Sequence, residues 1–164
     1  MKSLRRPLGS ILFAVLSVHL AAAQLAGNAE RSAEKPAPRT DRNSQMAHEQ
    51  LIEKAKKGRI DVYFLGDSIT RRWGATDYPE FLANWRSNFF GWNAANFGWG
   101  ADRIENMLWR VENGELDGVN PKVIVLLAGI NNVGTVPGGD AKVENITRGF
   151  SRAFGADGTR AGRL

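Results

Sequence analysis

The sequence predicts an α/β fold, three layers deep with a parallel sheet in the middle, and three observations carry that prediction. Three short apolar runs, RIDVYFLG, WNAANFG and PKVIVLLAG, have the look of strands. Amphipathic helical patterns lie around them, in the order helix, β, α, β, α, β, α, and strands joined through helices run parallel. Each apolar run also ends in glycine close to polar residues, where a strand would stop.

The first residues are set apart from this domain. Residues 1–23 read as a secretory signal: Lys2, Arg5 and Arg6 start it, LGSILFAVLSVHLAA is its apolar middle, and Ala21, Ala22 and Ala23 offer a cleavage site. The apolar run is too short to span a bilayer comfortably, so the expectation is a secreted or periplasmic protein without a stable membrane anchor. Removing this segment leaves 19 basic against 17 acidic residues, a net charge of +2, and no basic aromatic stripe that would suit nucleic acid. There is no cysteine, which excludes disulfides, a thiol nucleophile and thiolate metal sites. Residues 24–45, with Pro36 and Pro38 and few large apolar side chains, read as a solvated linker.

The domain itself is expected over residues 46–154. A helix from about Ser44 to Lys57 follows from Ala47, Leu51 and Ala55, with Gly58 as its stop. RIDVYFLG is apolar almost throughout, as a strand covered on both faces would be. A second helix carries Phe81, Leu82, Trp85 and Phe89 on one stripe, and WNAANFG is a weaker strand. The clearest helix holds Ile104, Met107, Leu108 and Val111, ends at Gly114, and has Asp102 and Glu105 at capping-box spacing. PKVIVLLAG is again apolar throughout, and a last helix over 140–154 uses Val143, Ile146, Phe150 and Phe154. Residues 155–164 are read as a tail outside the core.

Ligands of an open parallel sheet collect beyond the carboxyl ends of its strands. Those ends are Gly66-Asp67-Ser68, Gly98-Trp99-Gly100-Ala101-Asp102 and Gly129-Ile130-Asn131-Asn132. Singly, each has a plain reading: Asp67 and Ser68 as a helix cap, the asparagines as a turn, the glycines as close packing. Together they match the needs of acyl transfer, a nucleophile with convergent donors for an oxyanion. No Walker-type loop, complete dinucleotide fingerprint or metal-ligand cluster is present, so no cofactor or metal is expected.

FLGDSIT, NFGWGADRIENMLWRVENGEL and PKVIVLLAGINN resemble the first three sequence blocks of the SGNH (GDSL-type) esterases and lipases. They sit nearest the branch containing the catalytic subunits of platelet-activating-factor acetylhydrolase. The resemblance runs from about Arg59 to Gly134 and implies a flavodoxin-like sheet of which the first three strands are expected here. It implies Ser68 as nucleophile and backbone oxyanion donor, and Asn131 as a side-chain donor. It also implies a backbone donor at the residue before Asp102. That residue is Ala101, where the family has glycine, and a side chain there calls for a negative φ, with Gly100 supplying flexibility. Gly66, Asp67, Gly100 and Asp102 are supporting residues.

The family's fourth block, Asp-x-x-His, supplies the base. The chain holds two histidines, His19 and His48, both before Ser68. Asp157-Gly158-Thr159-Arg160 has the pattern with arginine in place of histidine, and arginine cannot accept the serine proton. Asp157 also follows Asn131 by only 26 residues, too few for two further βαβ units of about 30 residues each. The expectation is therefore an exported serine esterase, truncated before its Asp/His pair, acting on an acetylated sugar, a short acyl ester or a lysophospholipid. The alternative is a non-catalytic module that binds an ester or glycan, or a decayed gene product. Oligomeric state is not legible.

Overall fold

Strand β1 (Val62–Gly66) is the middle of a three-stranded parallel sheet, with β2 (Ala94–Gly98) on one side and β3 (Val123–Leu127) on the other. The computed structural model describes residues 31–135 and 138–155, so the segment read as a signal and the Asp157–Arg160 pattern lie outside the described residues. The α/β fold with parallel strands is as the sequence predicts. The helices are α1 (Arg42–Lys56), α2 (Ser68–Arg72), α3 (Pro79–Phe89), α4 (Ile104–Arg110), α5 (Ile130–Val133) and α6 (Asp140–Phe154). Among the described residues no helix is long and apolar enough to cross a membrane.

Alternation along β1 sends side chains to two faces. Tyr63 and Leu65 enter a core shared with Ala55 of α1 and Met107 of α4, and Tyr63 stacks on Phe97 of β2 at 4.1 Å. Such a ring pair adds about 0.5–1.5 kcal/mol to the area it buries. Phe64 points the other way, against Trp85 and Phe89 of α3 at 5.0 and 5.1 Å. Helices therefore cover both faces of the central strand. A smaller cluster joins α6 to α4 through Ala153, Ile104 and Leu108, with Ile146 and Phe150 beside it.

Four expectations need correction. Strand β3 is covered on one face only: Ile124 and Leu126 join the core, whereas Val123, Val125 and Leu127 are 51%, 39% and 44% exposed. Val125 is in register with Phe64, so the α3 layer ends between those two strands. Residues 32–41, read as part of a solvated linker, pack on the domain instead. Ala33 is fully buried with its N–H on Asn145 Oδ1 at 3.0 Å, and Ala37 exchanges hydrogen bonds with the Glu105 carbonyl and the Asn106 amide. The helix cap at α4 is shifted by one residue: Asn106 accepts from the Arg103 N–H at 3.0 Å, which frees Asp102 and Glu105 for ion pairs. The helical hydrogen bonding of α4 gives way after Arg110 to a wider turn, Val111–Glu115, in which Gly114 takes φ 112°.

Candidate active site

Ser68 owes its place to Gly66. A β-carbon on Gly66 would lie 2.1 Å from Thr70 Oγ1 and 2.7 Å from the Leu127 carbonyl, so only glycine lets β1 stop and α2 begin tight against β3. Asp67 then turns inward, fully buried, and caps α2 by accepting the Ile69 N–H at 2.9 Å. The cap reading of Asp67 is thus the one its hydrogen bond supports. Ser68 follows at the first helical position, half-buried, where the backbone N–H has no carbonyl partner within the helix.

The loop after β2 closes over this turn. Trp99 donates its backbone N–H to the Gly66 carbonyl at 2.9 Å, and Gly100 accepts from Arg39 Nη1 at 3.2 Å. Ser68, Trp99 and Gly100 line one cleft of about 280 Å³. Trp99 belongs to it; Trp73 does not line it and packs edge-on to Phe81 at 6.4 Å.

Ala101 holds φ 61°, the left-handed region, in place of the negative φ its side chain calls for. The turn keeps a glycine-type backbone with an alanine in it, a conformation that costs about 1–2 kcal/mol for an L-residue. Ala101→Gly is therefore expected to raise stability by about 1 kcal/mol in urea denaturation, the relief of strain outweighing the greater freedom of the unfolded chain.

The two asparagines after β3 divide the work. Asn132 is buried, accepts from the Ile104 N–H at 2.9 Å and donates to Glu105 at 2.8 Å, so it fastens the loop to α4. Asn131 is half-buried and donates one amide N–H to the Asp102 carbonyl at 2.8 Å. An amide carries two such donors, so the second remains for a ligand. The Asn131 amide is thereby held against the turn that contains Ala101.

Asp102 anchors that turn from beneath. It is fully buried, with Arg110 Nε at 2.8 Å and Arg39 Nη1 at 3.6 Å. Burial pushes its carboxyl up to about 6, against the opposing pull of Arg110 and Arg39. Arg110 also reaches Glu115 at 2.6 Å, and Glu115 meets His48 Nδ1 at 2.7 Å. Burial raises the Glu115 carboxyl as well.

His48 thus has a fixed position. It lines a different cavity, of about 310 Å³, together with Trp109 and Asp102. Trp99, bonded through its indole N–H to Ser44 at 2.9 Å, borders both cavities. Among the described residues no histidine lines the Ser68 cleft. The cleft does contain residues the sequence reading passed over: Arg39, Asp41, Arg71, Arg72 and Tyr78. Arg71 and Arg72 lie at i+3 and i+4 from Ser68, a spacing that puts them on its face of a helix.

Comparison with known proteins agrees with this arrangement. Residues 64–160, more than half of the chain, match the GDSL-like lipase/acylhydrolase family model. The platelet-activating factor acetylhydrolase IB subunit alpha1 of Rattus norvegicus is 33% identical over 112 residues, 66% of this chain and 46% of that protein. The Homo sapiens subunit alpha1 is 34% identical over 109 residues, covering 64% and 45%. The subunit beta homolog of Drosophila melanogaster is 38% identical over 93 residues, covering 57% and 39%. The chain spans less than half the length of these curated relatives. With the parallel sheet, the Ser68 turn and the Asn131 amide in place, the match establishes that the chain belongs to the GDSL-like lipase/acylhydrolase family.

Proposed function

We propose that this chain supplies the nucleophile and oxyanion donors of an ester hydrolase, with Ser68 taking the acyl group of a carboxyl or O-acetyl ester. One observation carries the reading. Ser68 opens with Trp99 and Gly100 onto the cleft at the end of the central strand, and the Asn131 amide, which does not itself line that cleft, is tethered to the Asp102 carbonyl two residues after Gly100. In acylation, Ser68 Oγ bonds to the carbonyl carbon and the C=O electron pair moves onto oxygen. The N–H groups of Ser68 and Ala101 and the free amide N–H of Asn131 receive that oxyanion. Collapse expels the alcohol, which takes up the serine proton, and water then releases the acid from Ser68. An acetylated sugar, a short acyl ester or a lysophospholipid meets these demands, encountered outside the cytoplasm if residues 1–23 direct export.

A second reading has its own support: among the described residues no imidazole lines the cleft, and His48 is paired to Glu115 in the other cavity. That favours an ester- or glycan-binding module with the same fold. Without a base, binding and oxyanion donors alone accelerate acyl transfer by roughly 10³–10⁴ over water.

The test is to incubate the chain with 4-nitrophenyl acetate, with and without imidazole as an external base, and map acetylation by peptide mass spectrometry. An acetyl group on Ser68, lost in Ser68→Ala, is the expected result. Asn131→Ala is expected to slow that acylation by about 10²–10³. No acetyl-Ser68 under either condition would transfer the case to the binding module.

A further inference from the structure

We infer that Arg39 is a positioning residue: it latches the Gly100–Ala101 peptide in the orientation that presents the Ala101 N–H to the reacting ester. The inference deepens the reading of Ser68 as the acylated residue and rests on it. Trp99, Gly100, Ala101 and Asp102 form a tight turn, closed by the Asp102 N–H on the Trp99 carbonyl at 3.4 Å. Ala101, third in the turn, holds φ 61°, whereas Gly100 has no positive φ, which is the type II arrangement. A type II turn favours glycine at that third position. Rotating the middle peptide by half a turn gives type I, in which alanine sits at negative φ without strain. The turn therefore carries a drive toward its other form, set by its own alanine, and a contact must oppose it.

Arg39 makes that contact. Its Nη1 donates to the Gly100 carbonyl at 3.2 Å, and the Ala101 N–H of the same peptide meets no partner among the described residues. In a trans peptide the carbonyl and the N–H point in opposite directions, so fixing one aims the other. A flip would turn the carbonyl away from the guanidinium and reverse the N–H with it. Both ends of the turn are fastened independently. Trp99 bonds to the Gly66 carbonyl and to Ser44, and Asp102 is held by Arg110 and, through its carbonyl, by Asn131. The middle peptide is left to Arg39. That side chain is itself anchored: it meets Asp41 at 2.8 Å, and Asp41 caps α1 by accepting the Ser44 N–H at 3.0 Å. A charged donor on the carbonyl makes a stronger bond than a neutral one, and it polarises the peptide so that its N–H is a better donor to an oxyanion.

Nuclear magnetic resonance on the whole chain reads the turn without any need for turnover. In a type II turn the Ala101 N–H lies against the Gly100 Hα, and in type I against the Gly100 N–H, so nuclear Overhauser contacts tell the two apart. The wild type is expected to show the first contact and Arg39→Met the second. The fold should survive, because Asp102 keeps Arg110 and the Asp41 side chain is 47% exposed. Arg39→Gln, with a shorter side chain, takes its place if Arg39→Met does not fold. Acetylation of Ser68 by 4-nitrophenyl acetate with imidazole is expected to slow about tenfold or more in the same variant, toward the loss of a whole oxyanion donor. Adding Ala101→Gly should restore the first contact and most of the rate, since glycine accepts a positive φ without steric strain. Urea midpoints of the same variants separate this rescue from a general gain in stability. A type II pattern that persists without the guanidinium overturns the inference, and so does a flip that leaves the acetylation rate as it was. A flip in a chain whose wild type forms no acetyl-Ser68 would instead keep the latch and dismiss the nucleophile.

Discussion

Arg110→Met is expected to cost the domain about 3–5 kcal/mol at pH 7, the scale of a buried charge cluster that loses its counter-ion. Small domains hold only about 5–15 kcal/mol in all, so this one substitution brings the chain to the edge of unfolding. Arg110 is buried between two fully buried carboxylates, Asp102 and Glu115, and also donates to the Phe97 carbonyl at 3.0 Å. The other basic side chains near the pair, Arg39, His48 and Lys54, do not replace it. Arg39 is 3.6 Å from Asp102, and His48 faces Glu115 alone.

The loss should depend on pH, and its sign follows from the carboxyl groups. Burial already lifts Asp102 from 3.8 to about 6 and raises Glu115 above its ordinary value. A carboxyl raised on folding binds its proton more tightly in the native state. Its contribution to stability is thus full below the unfolded value and is lost as pH rises through the folded one. For Asp102 that shift amounts to about 2 kcal/mol between pH 4 and pH 7. Removing Arg110 raises both carboxyls further. Urea denaturation should accordingly show the deficit of Arg110→Met shrinking as pH falls from 7 toward 4. The triple variant that adds Asp102→Asn and Glu115→Gln should recover much of the loss at pH 7. Wild-type stability in Arg110→Met at pH 7 would show that the two carboxylates hold their charge without it.

The same cluster shows what the sequence could and could not reveal. Strand β1 was legible because both of its faces are covered, and VYFLG says so in nearly every residue. Strand β3 reads the same way, VIVLL, yet one face is open; a short apolar run is identical on paper whether one or both faces are covered. The packing of residues 32–41 was invisible for another reason. It uses backbone hydrogen bonds and a small-residue contact, Ala33 on Gly149, where a β-carbon on Gly149 would come within 2.6 Å of Ala33. Neither leaves a mark in composition. The capping register at α4 slipped because Asp102 had a stronger partner in Arg110, eight residues on at the far end of the same helix and beyond the reach of any capping rule.

At the site, local chemistry was readable and long-range chemistry was not. Gly66, Asp67 and Ser68 follow from one strand end and one helix start. Asn131 and Asn132 are adjacent and alike, and only the structure separates the amide held at the Ala101 turn from the one that ties down α4. Arg39 enters the cleft from a segment 29 residues before Ser68, with nothing nearby to announce it. Arg71 and Arg72 were within reach of helical spacing from Ser68, had the helix been drawn from that serine.

Gly98→Ala is the second large effect, and it tests whether packing beside β2 sets the position of Ser68. Gly98 has no positive φ, so strain in its own backbone plays no part. Space decides: its β-carbon would stand 2.4 Å from the Arg71 nitrogen and 2.8 Å from the Thr70 carbonyl carbon. These are backbone atoms of α2, and α2 has no room to retreat. Its Thr70 carbonyl accepts from buried Asn96 at 2.6 Å, and its Arg71 N–H bonds to the Asp67 carbonyl at 3.0 Å. Overpacking against backbone costs about 1–3 kcal/mol and more where nothing yields. The displaced atom is the donor that closes the first turn around Ser68, so acetylation of Ser68 should fall together with the urea midpoint. Gly100→Ala is the control, because a β-carbon there meets nothing within 4 Å and stability should change by no more than about 0.5 kcal/mol. If Gly98→Ala keeps both stability and Ser68 chemistry, the close approach of α2 to β2 is not what holds the serine in place, and the burden moves to the Asp67 cap.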